Sequence, residues 1–227
     1  MKKNEDMTKQ TTLSIIIPCY NEEATLELCI NRILEIRNNN LSLDLIIVDD
    51  ASTDNSLAIA KRLEKDIPEI RVFLHETNLG KGASLRTGIQ HAIGDIVAIQ
   101  DADLEYNPQE FVKLIQPLIQ NEADVVFGSR YFFAGPHRIL YFWHSLANRG
   151  LTFLSNMFTD LNLTDMETCY KVFKREIIQD IHIEENRFGF EPEIVAKVAY
   201  KRLRVYEIGI SYNPRTYEEG KKIRLKV

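Results

Sequence analysis

From Leu13 to Gly128, apolar runs and polar breaks alternate in a rhythm that predicts successive strand-helix units. Leu13 to Ile17 is an apolar, β-branched run stopped by Pro18, the pattern of a strand buried on both faces. Asn21 is placed to cap the next helix, with Glu22 and Glu23 in its first turn, where carboxylates suit the helix dipole; Leu26, Ile30, Ile33 and Leu34 form its inner stripe. Leu43 to Val48 repeats the strand pattern and ends in Asp49 and Asp50, and Ser52, Thr53 and Asp54 offer caps for a helix through Leu57, Ala60 and Leu63. Arg71 to His75 is a third strand, followed by Asn78-Leu79-Gly80-Lys81-Gly82 and a helix through Leu85, Ile89 and Ala92 that Gly94 breaks. Ile96 to Gln100 is a fourth. Asn107-Pro108-Gln109-Glu110 then supplies an N-cap, a proline at the first helical position and a Glu placed to reach back, before a fifth strand at Asp124 to Phe127. Such alternation with short connections predicts right-handed crossovers and a doubly wound, mostly parallel α/β sheet, in the usual strand order 3-2-1-4-5.

After Gly128 the regularity stops. The helical pattern from Ile139 to Phe158 is apolar around much of its circumference: Leu140, Trp143, Ala147, Leu151, Leu154 and Phe158 form one stripe, and Phe142, Leu146, Phe153 and Met157 an adjoining one. His144, Asn148, Arg149 and Asn156 argue against a membrane-spanning helix, so a core helix is the expectation, with a helix at a membrane interface as the alternative. Tyr170 to Lys174 and Val205 to Ile210 read as strands, with a helix from Glu193 to Tyr200 between them.

Composition changes this picture little. The 227 residues are 44% hydrophobic and 27% charged, as in an ordinary globular chain. No apolar run reaches the roughly 18 to 20 residues that span a bilayer, and Met1 to Gln10 carries no apolar signal core, so a cytoplasmic location is expected. Cys19, Cys29 and Cys169 are too few and too scattered for a disulfide framework or zinc site. The net charge of −5 excludes a general nucleic-acid binder. Charge is uneven, however: Lys201 to Val227 holds eight Lys or Arg against three Glu, which suits phosphate groups or a lipid headgroup surface.

The chemistry concentrates where strands one, two and four end. In a doubly wound sheet, ligands bind at the carboxyl ends of the strands, where the winding direction switches between the first and fourth. Asp49, Asp50, Asp101, Asp103 and Glu105 would meet there and repel one another unless a cation compensated. Asp101 and Asp103 flank the small Ala102 and can converge on one hard ion, Mg²⁺ or Mn²⁺, that keeps positions open for water and phosphate. Lys81, between two glycines at a helix start, adds a cation and backbone N–H groups suited to a diphosphate. Neither a P-loop nor a Gly-x-Gly-x-x-Gly fingerprint is present, which excludes those nucleotide-binding classes.

Taken in order, Ser14 to Glu23, Val48 to Asp54, Asn78 to Gly82, Asp101-Ala102-Asp103 and Gly128-Ser129-Arg130 resemble the motifs of the family 2 inverting glycosyltransferases, particularly dolichyl- and polyprenyl-phosphate mannosyl- and glucosyltransferases. The resemblance runs from about Leu13 to Lys222 and implies a single GT-A domain over 1–227. Within it, 1–12 is a flexible N-terminus, 13–130 the nucleotide-sugar half, and 131–227 an acceptor-side half with the basic tail. It also implies that Pro18, Tyr20, Glu22 and Asp50 hold the nucleoside of GDP-mannose or UDP-glucose, and that Asp101, Asp103 and Glu105 hold the divalent ion. Lys81, Ala102, Arg130, Arg215 and Lys221 would line or neutralise the donor and acceptor phosphates. Arg138 would join them, and Asp165 or Glu191 would be the base for a hydroxyl acceptor. The implied acceptor is a polyprenyl or dolichyl phosphate, with peripheral contact to the cytoplasmic membrane face through 139–158 and the tail. Where lipid-phosphate enzymes carry an extra Arg before the Asn of that helix, this chain has His144 and Ser145. Transfer to a saccharide hydroxyl in surface polysaccharide synthesis is the enzymatic alternative, and a non-catalytic sugar-nucleotide-binding module is the alternative of another class.

Overall fold

The computed structural model describes residues 10–132, 135, 138, 139 and 141–214. Seven strands form one sheet: β1 (Thr11–Cys19), β2 (Leu41–Asp49), β3 (Ile70–Leu74), β4 (Ile96–Ile99), β5 (Val125–Ser129), β6 (Lys171–Lys174) and β7 (Val205–Gly209). The first three crossovers are α1 (Leu26–Leu34), α2 (Ser56–Asp66) and α3 (Lys81–His91), and the short α4 (Phe111–Leu114) and α5 (Gln116–Ile119) lead into β5. The second half adds α6 (Phe142–Thr159), α7 (Arg175–Gln179) and α8 (Phe190–Tyr200). Buried Leu13, Ile15, Ile16 and Ile17 of β1 pair in parallel with Leu43 to Ile47 on one side and Ile96 to Ile99 on the other. This apolar centre is sandwiched between helices, which is why those strands read as continuous hydrophobic runs.

The strand order is β3-β2-β1-β4-β6-β5-β7 rather than the expected 3-2-1-4-5. β6 lies between β4 and β5 and is antiparallel to both, while every other pairing is parallel. The cause is the route of the chain: α6 and the loop after it stay at the edge where β5 ends, so the next strand enters from that edge and must run backwards. The switch between β1 and β4, which places the site, is as expected.

Two local expectations change. Asn21 does not cap α1; it takes a left-handed turn (φ 54°), and its Oδ1 accepts from the Thr53 backbone N–H at 2.8 Å. The backbone N–H groups of Asn21, Glu22 and Glu23 donate to the side chains of Ser52, Ser56 and Asp54, so the loops after β1 and β2 are bonded to each other and the helix starts only at Leu26. Asn107 does cap the turn at Pro108–Glu110, accepting from the Gln109 N–H at 3.2 Å, but Glu110 does not reach back; its Oε1 accepts from the Ser211 hydroxyl at 2.8 Å.

The largest departure is α6, which is not a core helix. Its buried residues are Asn148 and Thr152, while Trp143, Phe153 and Phe158 are 63%, 64% and 84% exposed. The helix is inverted, polar inward and apolar outward. Asn148 donates to Asp165 Oδ1 (3.0 Å), Thr152 Oγ1 accepts from the Met166 N–H (3.1 Å), and Asn156 bonds both backbone groups of Leu163 (2.8 and 3.1 Å). These residues recur every four positions, one helical face, so a polar seam holds α6 to the 163–166 loop.

Candidate active site

A cavity of about 540 Å³ opens at the carboxyl ends of β1, β2, β4 and β5, walled by α3, α6 and α8. It brings together Pro18, Tyr20, Glu22, Asp50, Lys81, Asp101, Ala102, Asp103, Glu105, Arg130 and Glu191 from distant parts of the chain. Three residues at its rim hold left-handed backbone without being glycine: Asn21 after β1, Ala51 after β2 and Leu104 after β4 (φ 54°, 58° and 64°). Such conformations concentrate at functional edges, where the surrounding structure over-determines them. Asp49 is not part of the wall; it is buried, and its Oδ2 accepts from the Ser52 N–H at 3.1 Å.

Asp50 acts on the backbone. Its Oδ1 accepts from the Leu79 N–H (2.9 Å) and faces His75 Nδ1 (2.7 Å), and its Oδ2 accepts from the Gly80 N–H (2.7 Å). This anchors the loop that starts α3 and thereby aims Lys81. Glycine is required at position 80: φ is +103°, and a Cβ there would lie 2.5 Å from the Asn186 carbonyl oxygen. Lys81 Nζ lies 3.0 Å from Asp101 Oδ1 and 3.1 Å from Glu191 Oε1, so one cation bridges β4 and α8. Burial alone would lower its pKa, but the two carboxylates raise it well above the ordinary lysine value, and the ammonium stays charged.

Asp103 and Glu105 follow on the same turn. Asp103 Oδ1 accepts from the Glu105 N–H at 3.1 Å, and Glu105 Oε2 accepts from the Tyr212 hydroxyl at 2.5 Å. Among the described residues no three His, Cys, Asp or Glu side chains are drawn together closely enough to ligate one ion. Asp101 and Asp103 remain a pair of hard oxygen donors on one cavity wall. They fit a divalent ion that takes its other ligands from a diphosphate and water.

Arg130 and Asp165 form a buried ion pair beside the cavity. Arg130 Nε and Nη2 donate to the two Asp165 oxygens, each at 2.7 Å, and the Arg130 backbone N–H adds a third bond at 3.0 Å. Burial would raise the Asp165 carboxyl, but Arg130 and Asn148 reverse this and hold it below the usual carboxylate value. The guanidinium also stacks over the Tyr212 ring, 5.2 Å from its centroid. Arg138 Nη1 donates to the Pro214 carbonyl at 3.0 Å. Arg215 and Lys221 lie outside the described residues.

Sequence reasoning missed Glu167, Lys171, His75 and Tyr212. Lys171 is fully buried; its Nζ donates to the Met166 carbonyl at 3.0 Å and to the Thr168 carbonyl, pinning the loop that carries Glu167. A lysine between Tyr170 and the apolar pair Val172-Phe173 was the available signal. Glu167, between Asp165 and Cys169, left none that a local pattern could register.

A doubly wound sheet with a switch-point cavity and paired carboxylates at its edge is the architecture of the GT-A class of glycosyltransferases. The similarity extends to glucosyl-3-phosphoglycerate synthase from Mycobacterium tuberculosis, solved in complex with Mn²⁺, UDP and glucosyl-3-phosphoglycerate: TM-score 0.70 and 21% identity over 92% of this chain and 74% of that one. The chain belongs to glycosyl transferase family 2, whose sequence profile matches residues 14–182. Dolichol-phosphate mannosyltransferase of Pyrococcus furiosus is 27% identical over 211 residues, 92% of this chain and 58% of that protein. UDP-N-acetylglucosamine–dolichyl-phosphate N-acetylglucosaminyltransferase of Methanococcus voltae is 29% identical over 213 residues, 86% of this chain and 83% of that protein. The chain thus spans 58% of the length of the Pyrococcus relative. Among the described residues no helix is long and apolar enough to cross a membrane.

Proposed function

We propose that this protein transfers a hexose, with inversion, from a nucleoside-diphosphate sugar of the GDP-mannose or UDP-glucose type to a polyprenyl or dolichyl phosphate. The observation that carries the reading is Lys81 held between Asp101 and Glu191 on the wall of a cavity that also contains Asp103 and Arg130. A site that assembles acidic and basic groups on opposing elements suits a diphosphate and its counter-ion better than any neutral ligand. The names of the relatives support both the nucleotide sugar and the lipid phosphate.

Asp101 and Asp103, with Glu105 beside them, are the residues to hold Mg²⁺ or Mn²⁺; that ion would act as a Lewis acid on the leaving diphosphate. Pro18, Tyr20, Glu22 and Asp50 surround the nucleoside end. Lys81 and Arg130 offset phosphate charge in a partly desolvated cavity, where such pairing is stronger than in water. The outward apolar face of α6 would rest on the membrane surface at the cavity mouth and receive the isoprenoid, aided by the basic tail. A saccharide hydroxyl is the second reading, favoured by one observation: a carboxylate in the cavity, Glu167, accepts no hydrogen bond from any described residue.

The test is turnover of GDP-mannose and UDP-glucose with a short polyprenyl phosphate, with and without Mn²⁺, by the wild type and Asp103→Ala. The expected result is turnover that needs the metal and falls at least tenfold in the variant. Equal rates with and without metal would refute the metal-dependent mechanism.

A further inference from the structure

The acidic side chains around the cavity are nearly all engaged. Asp101 and Glu191 share Lys81, Asp165 has both oxygens on Arg130, Asp50 holds the Leu79–Gly80 backbone, and Glu105 accepts from Tyr212. Glu167 differs. It lines the cavity half-buried, and no described residue donates a hydrogen bond to its carboxylate. Its backbone is fixed from beneath, because Lys171 Nζ binds the carbonyls of Met166 and Thr168 on either side of it. The charged groups that bear on it are Glu191 from α8, Lys171 from β6, Arg130 after β5 and Asp165 from its own loop. Burial and the negative charge of Glu191 push its carboxyl above the ordinary glutamate value, and Lys171 and Arg130 offset this only in part.

We propose that Glu167 is the catalytic base that accepts the proton of the attacking acceptor oxygen, an assignment that rests on the sugar-transfer reading of this cavity. The acceptor O–H bond breaks toward the Glu167 carboxylate, which becomes the neutral acid. The oxygen's electron pair forms the bond to the anomeric carbon, and the bond from that carbon to the diphosphate breaks with its pair leaving on the diphosphate oxygen. The products are the glycosylated acceptor, the nucleoside diphosphate and a proton on Glu167 that passes to water. A carboxylate that is desolvated and unpaired is a stronger base than one held by Lys81 or Arg130, which is why Glu167 rather than Glu191 or Asp165 suits this step. The shared chemistry of the acceptor is an O–H group, from a saccharide hydroxyl, from water, or from a phosphate monoester below its second pKa of about 6.

The experiment compares wild type, Glu167→Gln and Glu167→Asp with Mn²⁺ and either GDP-mannose or UDP-glucose, from pH 5.5 to 8.5. The acceptors are a short polyprenyl phosphate, a methyl glycoside and water alone; donor affinity is measured by calorimetry. Glu167→Gln should lower kcat about 100-fold or more, the range for a lost general base, with the donor Kd within twofold and the thermal midpoint unchanged. The acidic limb of the wild-type pH profile should vanish, and Glu167→Asp should restore part of the rate. With a hydroxyl acceptor the loss persists at every pH; with a phosphate acceptor it is confined to about pH 6 and below, because the dianion has no proton to give. A Glu167→Gln variant within twofold of an active wild type at every pH overturns the assignment, as does one whose rate falls only in step with donor affinity. A wild type that turns over neither donor overturns the transfer reading itself.

Discussion

Replacing Arg130 with Met should unfold this protein far more readily than its position at a cavity edge suggests. Asp165 is 0% exposed and receives two guanidinium bonds, the Arg130 backbone N–H and the Asn148 amide. Removing the guanidinium leaves a buried carboxylate with its backbone and amide bonds but no counter-charge, a change that costs about 3–5 kcal/mol. Against a typical total of about 5–15 kcal/mol this is a large share, and for a chain of this size it lowers Tm by roughly 6–20 °C. The pH dependence follows from the carboxyl. In the wild type its folded pKa lies below the unfolded value, so its contribution is present above about pH 4 and is lost as pH falls through the folded value. In Arg130→Met, burial prevails and the folded pKa rises above the unfolded value, so the penalty is greatest at neutral pH and fades on acidification. Urea unfolding at pH 7 and pH 4.5 should therefore show a gap between the two proteins that narrows at the lower pH. The double variant Arg130→Met/Asp165→Leu should recover part of the loss, because it removes the uncompensated charge while leaving the Arg130 N–H and the Asn148 amide without their acceptor. A cost below about 1 kcal/mol at pH 7, or no recovery in the double variant, would refute the reasoning.

Two further outcomes follow from other parts of the fold. Changing Trp143, Phe153 and Phe158 together to Ser should leave Tm within a few degrees, since all three side chains already face solvent, yet cut partitioning onto anionic lipid vesicles at least 100-fold in a co-sedimentation assay; unchanged partitioning would remove α6 from the membrane contact. Gly80→Ala meets both a left-handed backbone and the Asn186 carbonyl, so it should cost about 1–3 kcal/mol in urea unfolding and weaken nucleotide-sugar binding by displacing Lys81, and an unperturbed variant would show that the 78–82 loop adapts freely.

Much of this protein is legible in local sequence. The apolar runs at Leu13 to Ile17, Leu43 to Val48 and Ile96 to Ile99 determine buried parallel strands, because period and length are properties of a few consecutive residues. The same locality places Asp50, Lys81, Asp101 and Asp103 at one edge, since each directly follows or caps an element whose direction the crossover rule sets. Only the tertiary structure decided what those groups do to one another. Lys81 meets Glu191, Arg130 meets Asp165, and Tyr212 meets Glu105 across separations on which no short-range pattern bears. The antiparallel wedge of β6 and the inversion of α6 are decided there too: an apolar stripe reads the same whether it faces a core or a surface, and only the polar seam from Asn148 to the 163–166 loop determines which way the helix is turned.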